Sequence, residues 1–179
     1  MRSTIHVLLQ QLLTLICISD ILNKVNGQQK VEVGDTICVN GYVMDYTCIE
    51  RGRLFDNPSI HPLGPNGPVV HTIHCLIDVP VCVNSPFEIL HDVSNGRRQR
   101  FGRAWRVEDN DLLIEHAKRM GICDEGCQGN QERGLTATII GKVLNLGNSK
   151  TPALLEVEQV GHGNIGCGDS EFEVPNMIG

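Results

Sequence analysis

Cysteine limits the folds open to this chain more than any other residue type. Eight occur in 179 residues, and the first, Cys17, lies in the opening segment "MRSTIHVLLQQLLTLICISDILNKVNG". A basic start at Arg2, an apolar run from Val7 to Leu22 and short residues at Val25 and Gly27 are the parts of a cleavable secretory signal peptide. Gln10, Gln11 and Asp20 interrupt the run, which is too short and too polar to span a bilayer comfortably. No later stretch reaches the ~18 continuous apolar residues of a membrane helix. Residues 1–27 are thus read as a signal peptide and 28–179 as one secreted, extracellular domain with no membrane span.

Seven cysteines then remain: Cys38, Cys48, Cys75, Cys82, Cys123, Cys127 and Cys167. In an oxidising compartment most of them are disulfide candidates. The count is odd, so one is a free thiol, a ligand or the link of a disulfide-bonded dimer. "CDEGC", Cys123 to Cys127, reads as a local clip, and Cys38 either staples Cys167 and the tail to the domain or is the unpaired residue.

The rest of the pattern is mostly strand. "DTICVNGYVMD" alternates, with Ile37, Val39, Gly41 and Val43 on one face and a central glycine where a bend is cheap. "YTCIERGRLFDNPSIHPLGPNGPVV" carries four prolines among its glycines and reads as a long irregular loop. "FEILHDV" and "RRQRFGRAWRV" flank "SNG", a hairpin signal. "DNDLLIEHAKRMG" is the one clear helix, with Asp109 or Asn110 as cap, Lys118 and Arg119 near its negative end, and Leu113, Ala117 and Met120 on one face. "GLTATIIGKVLNL" and "PALLEVEQV" form a last strand pair around "GNSKT".

This order predicts an all-β fold with one helix: an OB-like five-stranded barrel, disulfide-stabilised, with a long Pro/Gly-rich loop between the first two strands. The tail, 161–179, is Gly-rich; its "GHGNIG" spells a dinucleotide-binding pattern but is followed by no room for a helix. From Asp35 to Val160, "GYVMDYTC", "HTIHCLIDVPVCVNSPFEIL", "GLTATIIGKVL" and "ALLEVEQV" together resemble a group of secreted, cysteine-containing OB-fold-like domains. That resemblance implies a fold and leaves activity open.

"HTIHCLIDVPVC" is dense in ligand-type side chains. If "HTIHCLID" is helical, His71, His74 and Cys75 share a face, and Cys48 or Cys82 completes four donors for zinc or copper. Against this, the spacing matches no standard zinc pattern. In an oxidising compartment Cys75 and Cys82 are expected to be bridged, to each other or to Cys48. The metal set is therefore the alternative reading, and no cofactor the leading one.

"RRQRFGRAWR" surrounds Phe101 and Trp105 with Arg97, Arg98, Arg100, Arg103 and Arg106. On a barrel strand these suit a polyanion such as an acidic glycan or an extracellular-matrix partner, though a charged edge strand protected from aggregation has the same composition. Without the leader the chain holds 13 basic and 20 acidic residues, which argues against a nucleic-acid partner. The expectation is a non-enzymatic extracellular or matrix binding module. Its alternatives are a His/Cys metal-binding protein and, last, a cysteine-dependent enzyme pairing a thiol with His74 or His91; no catalytic residue is named, because no orienting acid or oxyanion motif accompanies such a pair.

Overall fold

The computed structural model describes residues 30–93, 100–121 and 132–162. The segment read as a signal peptide, the "SNG" stretch with Arg97 and Arg98, the expected "CDEGC" clip and the tail beyond His162 lie outside them.

Five strands make one mixed sheet: β1 (Thr36–Asp45), β2 (Phe87–Asp92), β3 (Phe101–Val107), β4 (Thr136–Asn145) and β5 (Ala153–Gly161). Neighbours run in the order β1-β2-β3-β5-β4, and β1 also pairs with β4, so each strand has two partners and the sheet closes on itself. All pairings are antiparallel except β3 with β5. The interior is filled by the alternating residues of each strand, among them Ile37, Val39 and Val43 from β1, Ile89 and Trp105 from the hairpin, and Ala137, Ile139, Val143 and Leu155 from the last pair.

β1 serves two partners in turn. Thr36 to Tyr42 pair with β4, and Tyr42 to Asp45 pair with β2. Gly41 sits at the handover, where a Cβ would lie 2.5 Å from the Leu90 carbonyl oxygen and 2.7 Å from Ile89 Cγ2. The glycine in the middle of the strand pattern is there because no side chain fits between the crossing backbones.

The expected helix is present as α5 (Asp111–Gly121), burying Leu113, His116 and Ala117. Asp109 Oδ1 accepts from the Asp111 N–H at 2.7 Å. Asn110 is used differently from a cap. Its amide oxygen accepts from Phe87 N–H and its amide nitrogen donates to the carbonyls of Val83 and Ser85, tying the start of α5 to the start of β2.

The expectation of a single helix is corrected between β1 and β2. That segment holds four short helices: α1 (Tyr46–Arg51), α2 (Gly67–Val70), α3 (Ile73–Ile77) and α4 (Pro80–Val83). Pro68, one of the four loop prolines, and Pro80 stand in the first turns of α2 and α4, where the missing N–H costs nothing. α1 ends at Gly52 in the left-handed region, its N–H returning to the Ile49 carbonyl. The insert has an apolar core of its own, in which Cys48, Leu54, Cys75 and Cys82 pack with Met44, Leu90 and Phe101 from the sheet.

Two outcomes follow. Gly41→Ala forces the β1 and β2 backbones apart and is expected to lower the unfolding free energy by about 1 to 3 kcal/mol, read from urea denaturation; a neutral substitution would contradict the close crossing. Burial lowers the pKa of His91 and is the main cause of the lowering at His116, which a bond to the Thr136 carbonyl opposes and the Arg119 and His162 charges reinforce. The unfolded chain therefore binds more protons below the ordinary histidine pKa of about 6.5, and stability falls as the pH drops through that value. His91→Gln and His116→Gln should each flatten the change in urea midpoint between pH 7.5 and 5.5 (roughly one unit either side of that pKa) relative to the parent; an unchanged slope would refute the assignment.

Candidate metal centre

Asp45 is both the last residue of β1 and the N-cap of α1. Its extended backbone turns the carboxylate back over the helix start, and Oδ1 accepts from the Cys48 N–H at 2.8 Å. The helix then presents Cys48 inward. Thr47 joins α1 to α4, its hydroxyl donating to the Val81 carbonyl and its N–H to Ser85 Oγ. Ser85 Oγ in turn donates to the Cys82 carbonyl, which fixes the last turn of α4.

Four donor atoms meet there. The sulfurs of Cys48, Cys75 and Cys82 and a carboxylate oxygen of Asp45 all lie within 4.8 Å of one another, and all four residues are buried. His71 completes the surroundings: it is 1 % exposed, and its Nε2 lies 3.1 Å from Asp45 Oδ2. The two atoms form a buried ion pair, although the contact is not a hydrogen bond of good geometry. His71 is held in place from both sides. Its carbonyl accepts from Gly134 N–H, the next residue's N–H reaches Asp56 Oδ2, and Arg133 donates to the Val70 carbonyl.

The electrostatics follow from this packing. Hydrogen bonds from the Cys75 and Cys82 thiols push the Cys48 pKa far down, and the nearby His71 adds to the effect against the opposing cost of burial. Cys75 and Cys82 move up, chiefly because each donates to Cys48, with burial adding to both. One thiolate, at Cys48, is therefore favoured among the three. Burial alone would lower the His71 pKa, but the bonds to Asp45 and Cys48 and their charges outweigh it and raise the value to about 9.

Of the sequence-derived metal candidates, His71, Cys75, Cys48 and Cys82 converge and His74 does not. His71 lies before the extended Thr72 cap of α3, so the helical spacing assumed between the two histidines is absent. His74 faces outward, 34 % exposed, with Nδ1 on Asp78 Oδ2 at 2.9 Å. Asp45 is the residue the sequence reading missed. Its signal was an aspartate three residues before a cysteine at the end of a strand pattern, a cap spacing.

The bridges expected of Cys75 and Cys82 are not formed. Cys48, Cys75 and Cys82 are free thiols, with the last two sulfurs 3.2 Å apart where a disulfide needs about 2.05 Å. Cys38 is disulfide-bonded. Cys123, Cys127 and Cys167 lie outside the described residues.

The arginine–aromatic hairpin is arranged differently from an alternating strand. Trp105 and Phe101 are buried, while Arg103 and Arg106 both close on Glu88, which has no exposed surface. Arg103 bonds both Glu88 oxygens, at 2.6 and 2.8 Å, and Arg106 adds two bonds to Oε1. The two guanidiniums also lie against the Tyr46 ring. Arg100 is exposed.

Comparison of the chain with protein-family models, with curated proteins and with solved structures finds no match. The assignment of the site rests on its geometry.

Glu88 offers a direct check on that description of the hairpin. Glu88→Ala leaves two guanidiniums over a buried patch, and the unfolding free energy is expected to fall by about 3 kcal/mol. A loss under about 0.5 kcal/mol, the range of exposed ion pairs, would show that the arginines are free to serve another partner.

Proposed function

We propose that the protein is a metal-binding module in which a zinc ion, held by Cys48, Cys75, Cys82 and Asp45, staples the helical insert to the end of β1. The observation that carries this reading is the convergence of three thiols and a carboxylate in one fully buried cluster. A disulfide would satisfy two of the sulfurs and leave the third thiol buried beside the Asp45–His71 ion pair, at a cost of roughly 1 to 3 kcal/mol for its unmade bond. A cation at the centre engages all three sulfurs and the carboxylate.

The donor chemistry favours zinc over other ions. Thiolates exclude calcium and magnesium, and a mixed sulfur and oxygen set of four suits tetrahedral zinc. Tetrahedral ligands about 2.3 Å from an ion lie about 3.8 Å from one another, between the 3.2 Å that separates the Cys75 and Cys82 sulfurs and the 4.8 Å that bounds the four atoms. His71 is the outer partner of the ligating carboxylate, orienting Oδ2 and balancing negative charge. Full burial leaves no open position for substrate, so the role is structural and not catalytic.

The setting we propose is the one expected from the sequence, a secreted OB-like barrel. The strand order, with α5 between β3 and β4, supports the OB-like description. No helix among the described residues is long and apolar enough to cross a membrane. The acidic-glycan or matrix reading draws less support, since Arg103 and Arg106 are taken up by Glu88 and Trp105 is inside.

Reduced protein refolded with zinc and passed through a desalting column should retain one ion per chain by elemental analysis. Cobalt(II) in its place should give intense thiolate-to-metal charge-transfer absorption. Cys48→Ser, Cys75→Ser and Cys82→Ser should each abolish retention. Chelation should lower the unfolding free energy by about 4 kcal/mol when free zinc had stood a thousandfold above its Kd. Reduced, folded protein that takes up neither ion would overturn the proposal.

A further inference from the structure

Cys75 and Cys82 are placed in the chain differently from Cys48. They are carried on α3 and α4, two short helices in direct sequence separated only by Asp78 and Val79. Their sulfurs are already 3.2 Å apart, so a bond between them needs an approach of little more than 1 Å. Cys48 is placed otherwise, on α1, with its backbone clamped by Asp45 and its sulfur beside His71.

Resting on the metal reading above, we infer that the site is redox-gated: hydrogen peroxide joins Cys75 to Cys82 as a disulfide and expels the zinc, while Cys48 stays a thiol. The electrons balance within that pair. One thiolate attacks peroxide, the O–O bond breaks, and a sulfenic acid and hydroxide result; the second thiolate attacks the sulfenic sulfur, forming the S–S bond and releasing a second hydroxide. Two thiolates lose one electron each, and peroxide takes both. Peroxide is near the size of water, which suits a fully buried pair better than a bulky disulfide oxidant. Disulfide sulfurs are poor ligands, so only Cys48 and Asp45 would remain of four donors, too few to keep the ion.

The test uses the zinc-loaded full chain titrated with hydrogen peroxide under a chromogenic zinc indicator, followed by alkylation and non-reducing peptide mapping. One zinc released per Cys75–Cys82 disulfide, with Cys48 alkylated and at least tenfold weaker zinc affinity that dithiothreitol restores, is the expected result. A Cys48→Ser variant, read by mapping alone, should still form the Cys75–Cys82 bond. A disulfide that includes Cys48, or an oxidised chain that keeps its zinc, overturns the gate while leaving the metal site standing. Reduced chain that never loads zinc fails at the first step, which marks failure of the metal reading and of the gate with it.

Discussion

A carboxylate with no exposed surface is costly to bury unless its oxygens are engaged, and the two oxygens of Asp45 have separate tasks. Oδ1 holds the first turn of α1, and Oδ2 faces His71 across 3.1 Å. The first task determines where β1 stops and how Cys48 is aimed. The second fixes the approach of the segment 70–73, itself pinned by the Asp56 loop and by residues 132–134. Asp45 is therefore the polar link between sheet and insert at the point where the three cysteines come together.

The insert between β1 and β2 is not a loop in the physical sense. Its helices are four to six residues long, well below the length at which a helix holds itself together in water. They persist because Leu54, Cys48, Cys75 and Cys82 bury themselves against Met44, Leu90 and Phe101 of the sheet. Phe101 and Tyr42 meet edge to face at the same seam. Contacts with the sheet supply what local propensity does not, and cross-linking α1, α3 and α4 at their buried ends would add what the small core lacks.

Strand positions were legible because period-two alternation survives wherever a strand has one face inside. α5 was legible because eleven residues suffice to show a buried stripe. The short helices were not, since one turn completes no period and their prolines look like breakers. The arginine face failed for a different reason. Along β3 the only positions not fully buried are Arg103 and Arg106, three apart, and the register between β2 and β3 shifts at Ile89 and Leu90. The irregularity turns both arginines outward to Glu88 and Trp105 inward, where strict alternation put Arg103 and Trp105 together. In the site, residue types were readable and partnership was not: His71 and Cys75 lie near each other in sequence, but Asp45 enters from a different element.

The choice between bridge and ion is a question of what a polar core cluster is for. Apolar side chains of similar volume in place of Asp45, His71 and three thiols would give an equal or more stable core, because desolvated charge rarely repays its cost. A disulfide explains two of these five groups. An ion explains the three sulfurs and the carboxylate as ligands and the histidine as the outer group that orients one of them. The pair whose sulfurs lie 3.2 Å apart is also half of the proposed ligand set, so on that reading metal and disulfide would be successive states of one cluster. In an oxidising compartment the ion would then protect the thiols, and its loss would be the event that the closing bond records.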